Sequence, residues 1–127
     1  MTLGAQGEEL AAAFLKKQGF RIVARNYRCP SGEIDIIAID GDTIVFVEVK
    51  SRSSDEAADP EVAVHHHKRR QVTRAAKYFI THKSMHHQPC RFDVVAVVLP
   101  AGGEPKIEHF VDAFGPTPRL GIEKCEV

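Results

Sequence analysis

Two apolar stretches joined by a short polar turn dominate the pattern of this chain. Residues 33–40 and 43–50 are rich in Ile and Val, and Gly41-Asp42 lies between them where a two-residue hairpin turn fits. If Asp40 faces Thr43 across that turn, the register of the whole hairpin follows. One face then holds the apolar pairs Ile34–Val49, Ile36–Val47 and Ala38–Val45. This face is predicted to lie in the core.

The opposite face of the same hairpin changes from apolar to charged residues with increasing distance from the turn. From the turn outwards it holds the pairs Ile39–Ile44, Ile37–Phe46, Asp35–Glu48 and Glu33–Lys50. Carboxylates that face each other on a sheet repel, and carboxylates on a strand that is apolar on both faces are partly desolvated. A divalent cation between Asp35 and Glu48 would offset both costs, because Mg²⁺ prefers carboxylate oxygens. An ion-pair cluster with Lys50 and Arg52 at the sheet edge is the structural alternative.

The remaining pattern predicts two helices and three further strands. Helical spacing covers residues 2–18, with Thr2 as a cap and Gly19 as the stop, and a second helix covers 62–82. Strands are predicted at 20–26 near an edge, at 92–99 in the buried centre after a helix crossover, and at 106–112 on an antiparallel edge.

The predicted order α-β-β-β-α-β-β gives an α/β (α+β) fold with a mixed β-sheet flanked by helices. One domain would span residues 1–115, and residues 116–127 would form a loosely packed C-terminal tail. The polar segment 51–61 is predicted to be a mobile loop beside the carboxylates. Glu8 lies at the border of the first helix's apolar stripe, where a Glu taken alone is usually a solvated helix residue.

Composition places the chain among ordinary globular domains. Its 127 residues are 43% hydrophobic and 27% charged, and no apolar run approaches the length of a membrane helix. The N-terminal residues carry Glu8 and Glu9 and lack the basic start of a signal peptide. Three widely spaced cysteines suggest a reducing compartment without a disulfide framework. The expected location is therefore cytoplasmic, with no membrane contact.

Charge is neutral in total but unevenly distributed. Residues 1–64 carry a net charge of −4 and residues 65–127 a net charge of +4. No acidic residue occurs between Glu61 and Asp93, whereas seven Lys or Arg and six His lie there. Such a stretch suggests an anionic partner such as nucleic acid. The charged residues of the second helix are Lys68, Arg69, Arg70, Arg74 and Lys77, which alternatively form only a solvated helix surface.

Taken together, these motifs resemble the UPF0102 (YraN-like) family of small bacterial proteins. That family is similar to archaeal Holliday-junction resolvases and belongs to the restriction-endonuclease-like, PD-(D/E)xK nuclease superfamily. The resemblance runs from about Gly7 to Phe114. Its carriers are Gly7-Glu8 with Ala11, Arg25-Asn26, Gly32-Glu33-Ile34-Asp35, Phe46-Val47-Glu48-Val49-Lys50 with Arg52, Lys68 with Ala75-Ala76, and Arg91-Phe92-Asp93.

The resemblance implies a role for each matching residue. Asp35 and Glu48 match the two metal-binding acids, Lys50 the catalytic lysine, and Glu8 a helix-one glutamate that reaches the same metal. Ile34 precedes Asp35 where the superfamily's motif has Pro, but that proline is not a ligand. The metal would be Mg²⁺ or Mn²⁺, which polarises the scissile phosphate and activates water. The phosphate contacts would come from Arg52, Lys68, Arg69, Arg70 and Arg74.

Two functions remain open on this basis. The first is a metal-dependent endonuclease that hydrolyses DNA phosphodiester bonds, with branched or single-stranded DNA as candidate substrates. The second is a non-cleaving nucleic-acid-binding adaptor in recombination, repair or DNA uptake. Because resolvases need two active sites, the resemblance also implies a homodimer, with the final strand and tail as the candidate interface.

Overall fold

Seven helices and strands make up the part of the chain that the computed structural model describes, residues 1–53 and 66–115. In chain order they are α1 Leu3–Lys17, β1 Arg21–Cys29, β2 Gly32–Asp40, β3 Thr43–Arg52, α2 His66–Lys83, β4 Cys90–Val98 and β5 Lys106–Phe114. The predicted order is confirmed. The predicted tail and most of the predicted loop at 51–61 lie outside the described residues, whereas residues 51 and 52 extend β3.

The five strands form one mixed sheet in the order β1-β2-β3-β4-β5. Neighbouring strands are antiparallel except β3 and β4, which are parallel and are connected through α2. This crossover places the apolar β4 inside the sheet, and β1 and β5 take the edges, as predicted. Val111 on β5 is 57% exposed; the homodimer expected at this edge stays a prediction.

Each helix covers one face of the sheet. The core under α1 joins Ala11 and Leu15 to alternate residues of the strands, namely Ile36, Ala38, Val45, Val47, Val95 and Val97. The core under α2 joins Val72, Ala75, Ala76, Phe79 and Ile80 to Ile37, Ile44, Phe46, Phe92 and Val94. The sheet is therefore buried on both faces, which is why β3 and β4 are apolar at nearly every position.

The hairpin register is confirmed near the turn and is wrong beyond Val47. Pairs run from Asp40–Thr43 to Ile36–Val47, and Gly41 adopts φ +65° at the first turn position, as a type II′ turn requires. The ladder stops there. The Asp35 carboxylate instead accepts a hydrogen bond of 2.8 Å from the Val49 backbone N–H, so the two strands diverge at their open end.

Ile34 also lies on the face opposite to the predicted one. It packs in the α2 core with Ile37, three residues away, and their partners Tyr27 and Ala24 on β1 pack there too. Strict alternation would put residues three apart on opposite faces. The alternation shifts by one residue at Asn26, whose positive φ of 51° breaks the regular strand geometry.

Two glycines let the helices approach the sheet closely. A Cβ at Gly7 of α1 would clash with the Ser51 side chain, and a Cβ at Gly32 would clash with the backbone carbonyl of Gln71 in α2. Both contacts lie beside the divergent end of the hairpin. They fix the position of each helix where the carboxylates project.

The cysteines differ from the sequence expectation. Cys29 is free, but Cys90 is disulfide-bonded, although no disulfide framework was predicted.

None of the described helices combines the length and the apolar character needed to cross a bilayer.

Candidate functional site

Four elements converge on a cavity of about 510 Å³ at the divergent end of the hairpin. Its lining residues are Gly4 and Glu8 of α1, Asp35 of β2, Glu48, Val49, Lys50 and Ser51 of β3, and Lys68 of α2. The structure thus brings together all four residues that the sequence analysis named as catalytic. It adds Lys68, which the sequence analysis assigned to phosphate binding.

Glu48 is the most unusual residue of this cavity. Its side chain is only 3% exposed, and its Oε2 lies 3.2 Å from Nζ of Lys68. Its other oxygen, Oε1, is buried and has no hydrogen-bond partner among the described residues. A buried carboxylate oxygen without a partner costs free energy, so its retention calls for an explanation.

Burial and a second carboxylate both disfavour a negative charge on Glu48. Desolvation, followed by the hydrogen bond and the repulsion that involve Asp35, raises the pKa of Glu48 to about 9. Lys68 opposes this shift because its ammonium favours the carboxylate form. Burial and the neighbouring Asp35 therefore both make the charged form of Glu48 unfavourable.

Glu8 reaches the same cavity from the other side. Burial raises its pKa, and the nearby Asp35 adds to the effect, whereas a hydrogen bond with Asn26 opposes it. The next residue, Glu9, binds Arg25 of β1 through an ion pair of 2.9 Å on the surface. Glu8 thus faces inward while Glu9 holds the helix to the edge strand.

Lys50 supplies the positive charge that is available inside the cavity. It is half-buried, and its side chain forms no ion pair or hydrogen bond within the described parts of the chain. Lys68 is instead engaged with Glu48. The two lysines therefore differ: Lys68 neutralises a carboxylate, and Lys50 remains available for an incoming anion.

The fit of Mg²⁺ or Mn²⁺ can be judged from these donors. Among residues 1–53 and 66–115, no three His, Cys, Asp or Glu side chains converge closely enough to enclose an ion by themselves. Mg²⁺, however, keeps several waters and commonly uses one or two carboxylates plus phosphate oxygens. The close Asp35–Glu48 pair, with the orphaned Oε1 and Glu8 on the cavity wall, fits that mode of binding.

The remaining residues predicted to bind nucleic acid are spread around α2 and β3. Arg52 ends β3, and the Arg69 guanidinium lies over the Phe114 ring, 5.6 Å from its centroid. The Nε atom of Arg70 is buried without a hydrogen-bond partner within the described chain. Arg74 lines a second cavity, farther along α2. Consecutive helical residues diverge by about 100°, so Lys68, Arg69 and Arg70 do not share one surface.

Sequence reasoning missed two features of the site. Lys68 contacts Glu48, which no spacing in the sequence indicates, because the two residues lie on separate elements that meet only through tertiary packing. Tyr78 and His82 stack their rings with centroids 3.9 Å apart. Their i, i+4 spacing on a helix without acidic residues could have indicated that pair.

The fold and the cavity together define a class: a small mixed α/β domain with a carboxylate–lysine site where its central hairpin diverges. The family model described as "Uncharacterised protein family UPF0102" matches residues 7–97, so the chain belongs to the UPF0102 family. A UPF0102 protein of Syntrophus aciditrophicus is 50% identical over 111 residues, which cover 87% of each chain. A UPF0102 protein of Geobacter sulfurreducens is 46% identical over 112 residues, or 88% of each chain.

Proposed function

We propose that this chain is a metal-dependent endonuclease that hydrolyses phosphodiester bonds in DNA. The observation that carries the proposal is the buried Glu48 carboxylate beside Asp35, with one oxygen unpartnered, in a cavity that Lys50 also lines. Such a group costs stability when no partner completes it, and strongly perturbed carboxylates in cavities are concentrated at functional sites. The resemblance to PD-(D/E)xK nucleases assigns the same residues to catalysis and supports the proposal independently.

In this proposal, each residue of the cavity has a separate role in hydrolysis. Bound Mg²⁺ or Mn²⁺ would polarise the phosphate and lower the pKa of a water. Asp35 and Glu48 would hold the ion, with Glu8 orienting its water ligands. Lys50 would contact the phosphate oxygens and stabilise the charge that develops as water attacks phosphorus. As the water oxygen bonds to phosphorus, it would release a proton to solvent; the P–O bond to the leaving oxygen would break, and the leaving oxygen would take up a proton.

A cleavage panel tests this proposal. The substrates are labelled single strand, duplex, flap and four-way junction, each with Mg²⁺, Mn²⁺ or EDTA. We expect cutting by the wild type in metal only, and a loss of at least 100-fold in Asp35→Asn and Lys50→Ala. Asp42→Asn is the matched control, because it removes an exposed carboxylate at the hairpin turn, at the opposite end of β2 and β3 from the cavity. Wild-type levels of cutting in Asp35→Asn would exclude this site.

Two observations support the alternative of a non-cleaving adaptor. The Lys68–Glu48 ion pair already neutralises one carboxylate oxygen, and no three metal-binding side chains converge in the described residues. On that hypothesis the protein binds nucleic acid through its basic helix in recombination, repair or DNA uptake. Salt-sensitive binding without cutting in any metal would favour it.

A further inference from the structure

Three neighbouring cavities, each lined in part by the same side of α2, form what we call the groove, and the carboxylate cavity is its first part. Its middle part has a volume of about 490 Å³ and is lined by Glu33, Gln71 and the turn between β1 and β2, including Ser31. Its far part, of about 270 Å³, is lined by Ser31 again and by Arg74, Tyr78 and His82. Gln71 of the middle part and Lys68 of the carboxylate cavity lie one turn apart on α2, so the two parts adjoin.

The far part of the groove combines positive charge with an aromatic surface. The Tyr78 and His82 rings stack nearly parallel, 18° apart, with centroids at 3.9 Å. The His82 Nδ1–H donates a hydrogen bond of 3.1 Å to the Tyr78 carbonyl, which fixes the orientation of the imidazole. His82 and Arg74 are exposed. A fixed, exposed ring beside an arginine is suited to stack a base while the guanidinium contacts a phosphate.

Charge along this side of α2 favours a polyanion. The described helix, His66–Lys83, contains no Asp or Glu. The carboxylate of the groove's middle part, Glu33, is paired with Arg28 at 3.6 Å. From Lys68 to His82 the helix rises about 21 Å, a length that a few nucleotides of an extended strand would span.

From these observations we infer that the Tyr78–His82 pair is a stacking subsite for an unpaired base. The strand that carries this base passes Arg74 and Gln71 and reaches the carboxylate cavity with its scissile phosphate. The occupant is therefore single-stranded nucleic acid or the unpaired arm of a branched one, because a base inside a duplex has no free face. This inference rests on the proposed function, because the strand is placed so that its scissile phosphate reaches the proposed catalytic cavity.

Binding without metal tests the subsite separately from catalysis. The probe is a fluorescein-labelled 12-nucleotide oligothymidylate in EDTA at low salt, measured by anisotropy. His82→Ala should weaken binding roughly 5- to 150-fold, the loss of one stacked base, without changing the salt dependence. Arg74→Ala should weaken binding and lower the salt slope by about 0.7, the loss of one phosphate contact. Binding of a 12-base-pair duplex should be the same for His82→Ala and the wild type.

A tryptophan reporter checks that the ring itself meets the base. The chain contains no Trp, so His82→Trp has one emission signal. It should bind as tightly as the wild type, and oligothymidylate should quench its emission. Gln18→Trp is the control, because Gln18 is exposed at the end of α1, on the other face of the sheet. It should show no quenching.

The outcomes separate the two proposals. Unchanged oligothymidylate binding by His82→Ala, no quenching in His82→Trp, or no oligonucleotide binding at all overturns the stacking subsite, even if the protein cuts DNA. Binding that depends on His82, without cutting in any metal, supports the subsite and overturns the endonuclease.

Discussion

Lys68 on α2 reaches across to the buried Glu48 on β3, with Nζ and Oε2 3.2 Å apart. This ion pair connects the basic helix to the carboxylate cavity. It is also the only ion pair of Glu48 within the described residues. Lys68 is therefore the group that offsets the burial of Glu48 when no cation is bound. Its consequences can be measured.

Replacing Lys68 should destabilise the protein. Lys68→Met keeps the approximate side-chain length but removes the ammonium that contacts Glu48 and opposes the rise of its pKa, so the buried Glu48 side chain loses its partner. Because Lys68 is 28% exposed, we expect a loss of about 1–3 kcal/mol, at or below the range for a fully buried pair. Urea unfolding in EDTA measures it, with the exposed Lys17→Met of α1 as the control. Equal stability of Lys68→Met and wild type would mean that the ion pair contributes nothing.

Magnesium should raise the melting temperature through the carboxylate pair. At ~10 mM Mg²⁺ and a Kd of ~1 mM, mass action stabilises the folded state by about 1.4 kcal/mol, or roughly 3–6 °C. Differential scanning fluorimetry with Mg²⁺ or EDTA should show this shift for the wild type and for Asp42→Asn, whose carboxylate lies outside the cavity. Asp35→Asn and Glu48→Gln should lose it. If Mg²⁺ shifts none of the four proteins, the carboxylate face is an ion-pair cluster.

Asp93 should make the fold sensitive to acid. Burial alone would raise its pKa, but hydrogen bonds from His109 at 2.7 Å, from Arg91, and from the Asp112 backbone N–H outweigh burial and lower it. The unfolded chain thus binds this proton more readily. The stabilisation is complete above the ordinary pKa of 3.8 and is lost as pH falls through the lower folded value.

The variant Asp93→Asn isolates this contribution. It removes a charge that Arg91 and His109 share, and we expect it to cost about 2–4 kcal/mol at pH 6. The difference from wild type, measured as urea midpoints from pH 6 to pH 3, should shrink toward the acid end. A difference that stays constant over this range would contradict the assigned role.

A side chain at position 7 should disrupt the close packing of α1 on β3, because Gly7 lies directly against Ser51. Gly7→Ala places a methyl group against Ser51, next to Lys50, and should cost about 1–3 kcal/mol. Gly4→Ala is a matched control on the same helix, because a Cβ there meets nothing within 4 Å. It should be neutral or stabilising by up to about 1 kcal/mol, since Ala favours helix more than Gly does. Thermal melts compare the two, and equal values would refute the close contact.

The local pattern of the sequence was sufficient for the element order and for the hairpin near its turn. Alternating Ile and Val on either side of Gly41 fixed the pairs from Asp40–Thr43 to Ile36–Val47, because a one-residue slip would expose the core face. Thr2 as the cap of α1 is likewise confirmed by its hydrogen bond from the Ala5 N–H. Such features depend on neighbours along the chain.

Only the tertiary structure decided which residues come together at the site. The positive φ of Asn26 shifted the alternation of β1 and β2, so Ile34 moved to the α2 side. The hydrogen bond from Val49 to Asp35 ended the ladder that periodicity would have continued. Glu8 and Lys68 meet the hairpin carboxylates because α1 packs closely against Ser51 through Gly7 and α2 packs closely against Gly32 through Gln71. Contacts between residues far apart in sequence depend on packing and burial, which no local pattern encodes.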